Sequence, residues 1–211
     1  MIKANLDGLN MNEVRDHYDE RLNASKQLQK LFESHEIRKF VNLALGISSV
    51  HGNYSAHEHN LGPKILSGVE PLAIFQLAQN FMMCLDLVEM LTTIYDRRIS
   101  YLKISVGSEI AMMIRPNTFW VANTRSVWAH LLAKHKFSYK KANEELALYR
   151  NDDEDSEMHY EKWRALYFAM RENLVDIGRR GDAQAAKQKV KAGKVQNIWF
   201  DAIANALYEQ R

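Results

Sequence analysis

Apolar positions recur along most of this chain at the spacing of a helix rather than that of a strand. Between Asn10 and about His35, Val14, Tyr18, Leu22, Leu28, Leu31 and Phe32 fall close to a 3.6-residue stripe among charged neighbours, which predicts an amphipathic helix. A second helical stretch turns Ile37, Phe40, Val41, Ala44 and Leu45 inward and ends at Gly46, a natural C-cap. From Gly46 to Gly68 the pattern lapses, and Gly46, Gly52, Gly62, Pro63 and Gly68 punctuate what reads as a long loop. Pro71 then suits the first position of a helix running from Leu72 to about Tyr95. It is apolar almost all round, with a thin polar line through Gln79, Asp86 and Thr93. A helix of that kind is enclosed by its neighbours, so this one is expected to be the hub, with Met82, Met83 and Met90 filling the core.

The period changes after Arg98. Leu102, Ile104 and Val106 alternate with Tyr101, Lys103 and Ser105, and Ile110, Met112 and Ile114 alternate with Glu109, Ala111 and Met113. With Gly107-Ser108 between the runs, this predicts a small β-hairpin over about residues 100–114. A helix continuing through Glu109 to Ile114 is the alternative, because Ala and Met favour helix. Asn123 or Thr124 can cap a helix to about Lys136, and Ser138 another to Tyr149. Asn151 to Glu157 holds five acids in seven residues and reads as a solvated connection. Beyond it a helix from about Glu157 to Ile177 is closed by Gly178 and Gly181, and a last helix bears Ile198, Trp199, Ile203 and Leu207. The fold class is therefore mainly α, a helical bundle around a buried central helix with a small hairpin. We read one domain over residues 1–211, with a helical core plus hairpin in 1–150 and a C-terminal helical pair in 157–211.

Composition narrows the function only by exclusion. A hydrophobic share of 46% is enough for a core, and a formal charge of +2 is too small to imply nucleic acid unless the charges are unevenly arranged. The single Cys, Cys84, excludes an internal disulfide and fits a reducing cytoplasm. MIKANLDGLN lacks the apolar core of a secretory signal, and Gln76, Gln79, Asn80, Asp86 and Glu89 interrupt the most hydrophobic run. A cytoplasmic protein without a membrane partner is expected. No Walker A sequence, Gly-x-Gly-x-x-Gly, Cys-x-x-Cys or Gly-x-Ser-x-Gly occurs. His51, His57 and His59 beside Glu58 could ligate a metal or simply decorate a polar loop; their spacing follows no established ligand pattern, and no metal or cofactor is expected.

Three constellations could carry chemistry. Arg125-Ser-Val-Trp-Ala-His130 resembles the Arg-x4–6-His signature of the HEPN superfamily, helical-bundle proteins that include many RNase toxins and defence effectors. The resemblance implies a metal-independent ribonuclease acting as a dimer, with His130 as general acid or base and Arg125 stabilising phosphate charge. Asn123, nearly in line with His130 on the helix, joins them in that reading. The competing reading makes Asn123 and His130 buried, hydrogen-bonded polar groups, with Arg125 paired to Glu109 or another acid. Secondly, the two short helices around Phe137-Ser138 suit a helix-turn-helix with Tyr139, Lys140, Lys141 and Asn143 at the front of the second; an αα-hairpin without a DNA role has the same pattern. Thirdly, Arg179, Arg180, Lys187, Lys189, Lys191 and Lys194 are opposed only by Asp182 and could track a phosphate backbone. The leading expectation is a nucleic-acid-binding or assembly protein of a bacterial or mobile-element system, contacting DNA or RNA through Lys140, Lys141 and the basic C-terminal residues. The alternatives are the HEPN-type ribonuclease and a protein-interaction subunit, with a homo-oligomer or a partner protein accommodated by each.

Overall fold

The computed structural model of the chain describes residues 6–149 and 157–211, so residues 151–156 of the acidic connection lie outside it. Among the described residues every regular element is helical, and the mainly α class holds. Two compact units divide the chain, one of Asp19–Asn123 and one of Met1–Tyr18 with Thr124–Arg211. The first long helix, α1 (Met11–Glu33), contributes residues to both.

The Asp19–Asn123 unit adds α2 (Ile37–Ala44), α3 (Tyr54–Glu58), α4 (Leu61–Gly68), α5 (Pro71–Met83), α6 (Leu87–Asp96) and α7 (Ile104–Ile114). The predicted loop of residues 46–68 is thus largely short helix. Asn53 makes this possible by accepting the Ala56 N–H at 2.9 Å as the α3 cap while donating to the carbonyls of Ala44 and Val106.

The predicted hairpin of residues 100–114 is instead the helix α7. Ile104 and every residue from Val106 to Ile114 are buried, so α7 has no solvent face to impose a 3.6-residue polarity pattern, and the remaining alternation mimicked strands. Gly107 does not turn the chain; a Cβ there would lie 2.7 Å from the Ile94 side chain, so the glycine lets α6 approach α7. α7 packs against α3, α5 and α6 and is the true centre of this unit.

The expected hub of residues 71–95 is two helices. α5 stops at Met83, and Arg115 donates to the carbonyls of Phe81 and Cys84 at 2.9 and 2.6 Å, satisfying the helix end. α6 restarts with a reciprocal box: Asp86 accepts from the Glu89 N–H at 2.9 Å, and Glu89 accepts from the Leu85 N–H at 2.7 Å. Nor is this stretch enclosed, since Met83 is 77% and Leu85 89% exposed.

One ion pair is fully buried in this unit. Arg21 on α1 lies 2.8 Å from Glu109 on α7. The carboxylate also accepts from the N–H groups of Tyr54 and Ser55 and from the Ser55 hydroxyl. Arg21 donates to the His51 carbonyl at 2.7 Å and lies over the Tyr54 ring. The acid that the sequence offered to Arg125 is therefore held by Arg21.

In the other unit α8 (Thr124–Lys134) is central, packed by α9 (Tyr139–Tyr149), α10 (Glu157–Lys187) and α11 (Gln196–Glu209). Ser126 to Leu132 are buried without interruption. Trp128 anchors the packing: its indole N–H donates to Asn143 at 2.9 Å, and its rings meet Tyr139 and Tyr208 edge-on. The predicted stop at Gly178 and Gly181 does not occur, because α10 runs on to Lys187. Cβ atoms at these glycines would lie 2.0 Å from the Phe200 ring and 2.2 Å from Ile203, so both serve the close crossing of α10 and α11.

Candidate nucleic-acid interface

Burial governs the first constellation. Asn123 and His130 are buried, and Arg125 is half-buried at the start of α8. Five helical residues set Arg125 and His130 roughly 140° apart around the axis. The Asn173 amide on α10 donates to His130 Nδ1 at 3.0 Å, which leaves the ring proton of the neutral form on Nε2. Burial pushes the imidazole down to about 4, with Lys134 and His135 acting in the same direction against Glu145. His130 is thus a neutral group tying α8 to α10.

Beside it lies a polar cluster that sequence reasoning missed. Glu145 on α9 accepts from Lys134 Nζ and meets His135 Nε2, both at 2.6 Å, and accepts from the Tyr149 hydroxyl at 3.4 Å. Burial works to raise the carboxyl, but the hydrogen bonds and charges of Lys134 and His135 prevail and hold it below the usual carboxylate range. Burial, and then the Glu145 charge, push Tyr149 up. The cluster fixes the angle between α8 and α9. Only the charge alternation of the two helices hinted at it, because the pairing spans ten and eleven residues across a turn.

That angle decides the helix-turn-helix constellation. Tyr139 packs on Trp128 and Asn143 accepts the Trp128 N–H, so two of the four candidate reading residues face inward. Lys140 and Lys141 face solvent, with Lys140 3.9 Å from Glu144. The geometry is that of an αα-hairpin whose turn is basic. Lys136, which the sequence reading passed over, is exposed in this turn with φ of +51°. Arg180 on α10 lies over the neighbouring Phe137 ring at 5.1 Å. Arg179 and Arg180 also share Asp176, at 2.7 and 2.6 Å.

The connection between α10 and α11 gathers the rest. Lys187, Lys189, Lys191 and Lys194 are all exposed within eight residues. Lys187 pairs with Asp7 at 3.1 Å; no carboxylate among the described residues pairs with the other three. The backbone beneath them is pinned from several directions. Arg15 donates to the carbonyls of Lys191 and Ala192, the Val195 N–H donates to the Tyr18 hydroxyl, and Gln188 bonds to Leu9 and Met11. Helix α10 ends in a six-to-one closure, with the Val190 N–H bonded to the Ala185 carbonyl at 2.8 Å. Lys189, with φ of +59°, occupies the left-handed position of that closure where glycine is usual.

Two of the three histidines of residues 51–59 serve other partners, and the third, His59, is exposed: His57 meets the Gly46 carbonyl at 2.8 Å, and His51 lies 3.1 Å from the Tyr54 hydroxyl. Among the described residues no group of three or more His, Cys, Asp or Glu could hold a metal, and no helix is long and apolar enough to cross a membrane. Comparison of the chain with protein-family models, curated proteins and solved structures finds no match.

Proposed function

We propose that this chain is a nucleic-acid-binding or assembly protein that contacts phosphates through the basic connection between α10 and α11. The observation that supports this reading is the pinned loop: Lys189, Lys191 and Lys194 stand exposed on a backbone held by Arg15, Tyr18 and Gln188. A backbone already ordered loses little further entropy when its lysines meet a polyanion, and each phosphate neutralised releases condensed counterions. Lys136, Lys140, Lys141, Arg179 and Arg180 extend the positive surface around the α8–α9 turn. Phosphate contact of this kind positions a nucleic acid without reading its bases. The inward orientation of Tyr139 and Asn143 favours sequence-independent binding.

Burial of His130 favours binding without cleavage over the ribonuclease reading, since a general base must reach the proton that it removes. A mobility-shift titration with duplex DNA, single-stranded DNA and RNA tests the proposal. Salt-sensitive retardation of at least one of them is expected, with RNA length unchanged for the wild type and for His130→Ala. Absence of retardation at low salt removes the proposal; cleavage lost in His130→Ala replaces it with the ribonuclease.

A further inference from the structure

Helix α5 carries no Asp, Glu, Lys or Arg, in a chain of which 26% is charged. Its exposed positions are Leu72, Gln76, Gln79, Asn80, Met82 and Met83, with Leu72 49% and Met83 77% exposed. Exposed helix faces ordinarily carry charge, whereas the centres of protein interfaces are depleted in charge and enriched in methionine. The apolar-all-round pattern of this stretch is that of an enclosed helix, and the chain itself covers only part of it.

The spacing of the uncovered face identifies what fits it. Leu72, Gln76, Gln79 and Met83 follow one another at intervals of four, three and four, the seam spacing of two helices lying side by side. The series is also symmetric about the midpoint between Leu77 and Ala78. An antiparallel copy centred there sets Leu72 against Met83 of the second copy, Gln76 against its Gln79, and Ala73 against its Met82. Each apolar end meets an apolar end, and small meets large. Neither Gln76 nor Gln79 has a side-chain hydrogen bond among the described residues, and each amide offers the donor and acceptor that the other needs. No like charges oppose one another along the seam.

We propose that α5 pairs with α5 of a second copy of this chain, antiparallel and in the register Leu72–Met83, forming an isologous two-fold dimer. The end of the face is already fixed in place. Arg115 clamps the Phe81 and Cys84 carbonyls, and the Asp86–Glu89 box sets the next helix. Leu85 occupies the position that ordinarily staples back onto the fourth helical residue, here the buried Met90, yet it is 89% exposed. Val88, near the start of α6, is exposed as well.

The pairing is independent of nucleic-acid binding, and its test uses nuclease-treated full-length protein at high salt so that a shared nucleic acid cannot bridge two chains. Sedimentation equilibrium is expected to give a mass rising with concentration to twice 24.5 kDa. Leu72→Lys and Met83→Glu should each raise the dissociation constant about tenfold or more, a loss of ~1.4 kcal/mol for each factor of ten, with helicity unchanged and with the urea midpoint unchanged at concentrations where every form is monomeric. The double variant should recover much of the loss, because the antiparallel register places the new ammonium against the new carboxylate of the other copy. A wild type that stays monomeric, single variants that dimerise normally, or a double variant weaker than either single one each overturn the proposal.

Discussion

Each unit has an almost wholly buried helix at its centre, α7 in Asp19–Asn123 and α8 in the other, but the two helices handle buried polarity differently. α7 carries a carboxylate, Glu109, and surrounds it with a guanidinium, two backbone N–H groups and a hydroxyl. α8 carries an imidazole, His130, that needs one amide because it stays neutral. A buried charge requires a full set of partners, while a buried neutral ring makes its demand only when the pH falls. The outer surfaces differ too: the first unit exposes an uncharged face on α5, the second a cationic loop.

This contrast predicts unequal responses to perturbation. Glu109→Ala or Arg21→Ala leaves a buried charge unpaired and should cost about 3–5 kcal/mol in urea unfolding. Replacing both with apolar residues should not recover the whole loss, because the Tyr54 and Ser55 N–H groups also lose their acceptor. Full recovery in the double variant would show that the pair has no role in holding α3.

His130 should respond to pH rather than to pairing. Its ordinary value of 6.5 applies in the unfolded chain and about 4 in the folded one. Between these values the unfolded state binds the extra proton, so this contribution is complete above pH 6.5 and is lost as pH falls toward about 4, at up to about 1.4 kcal/mol per pH unit. Urea midpoints of the wild type and of His130→Gln across this window should converge as the pH drops; parallel curves would contradict the buried neutral ring. The smallest effect belongs to the surface. Asp176→Ala breaks two exposed pairs and should change stability by less than about 1 kcal/mol, while releasing Arg179 and Arg180 to tighten nucleic-acid binding in a mobility-shift assay.

Much of the fold was legible wherever a helix has both a wet and a dry face, as in α1 and α2, or a residue able to cap it just before its start, as Asn123 before α8 and Ser138 before α9. Legibility failed where tertiary packing removes the wet face. α7 lost its helical period to burial, and Gly178 and Gly181, which read as stops, instead make room for Phe200 and Ile203. The Asp86-x-x-Glu89 box was present in the sequence but was outweighed by the apolar run around it. At the candidate interface the lysines were visible as a charge run. Their anchoring was not, because Arg15 and Tyr18 lie 176 and 177 residues from their loop partners. The inward turn of Tyr139 was equally hidden, since Trp128 sits on the helix before it.

The central claim, phosphate contact through the α10–α11 connection, is tested most directly by the salt dependence of binding to a fluorescent DNA duplex. Anisotropy titrations of the wild type and of the combined Lys189→Ala, Lys191→Ala and Lys194→Ala variant would be compared across salt concentrations. The slope of log affinity against log salt should become shallower by about 0.9 for each lysine that contacts a phosphate. Equal slopes for the two proteins, with helicity preserved in both, would contradict the assignment of the phosphate contacts to this loop.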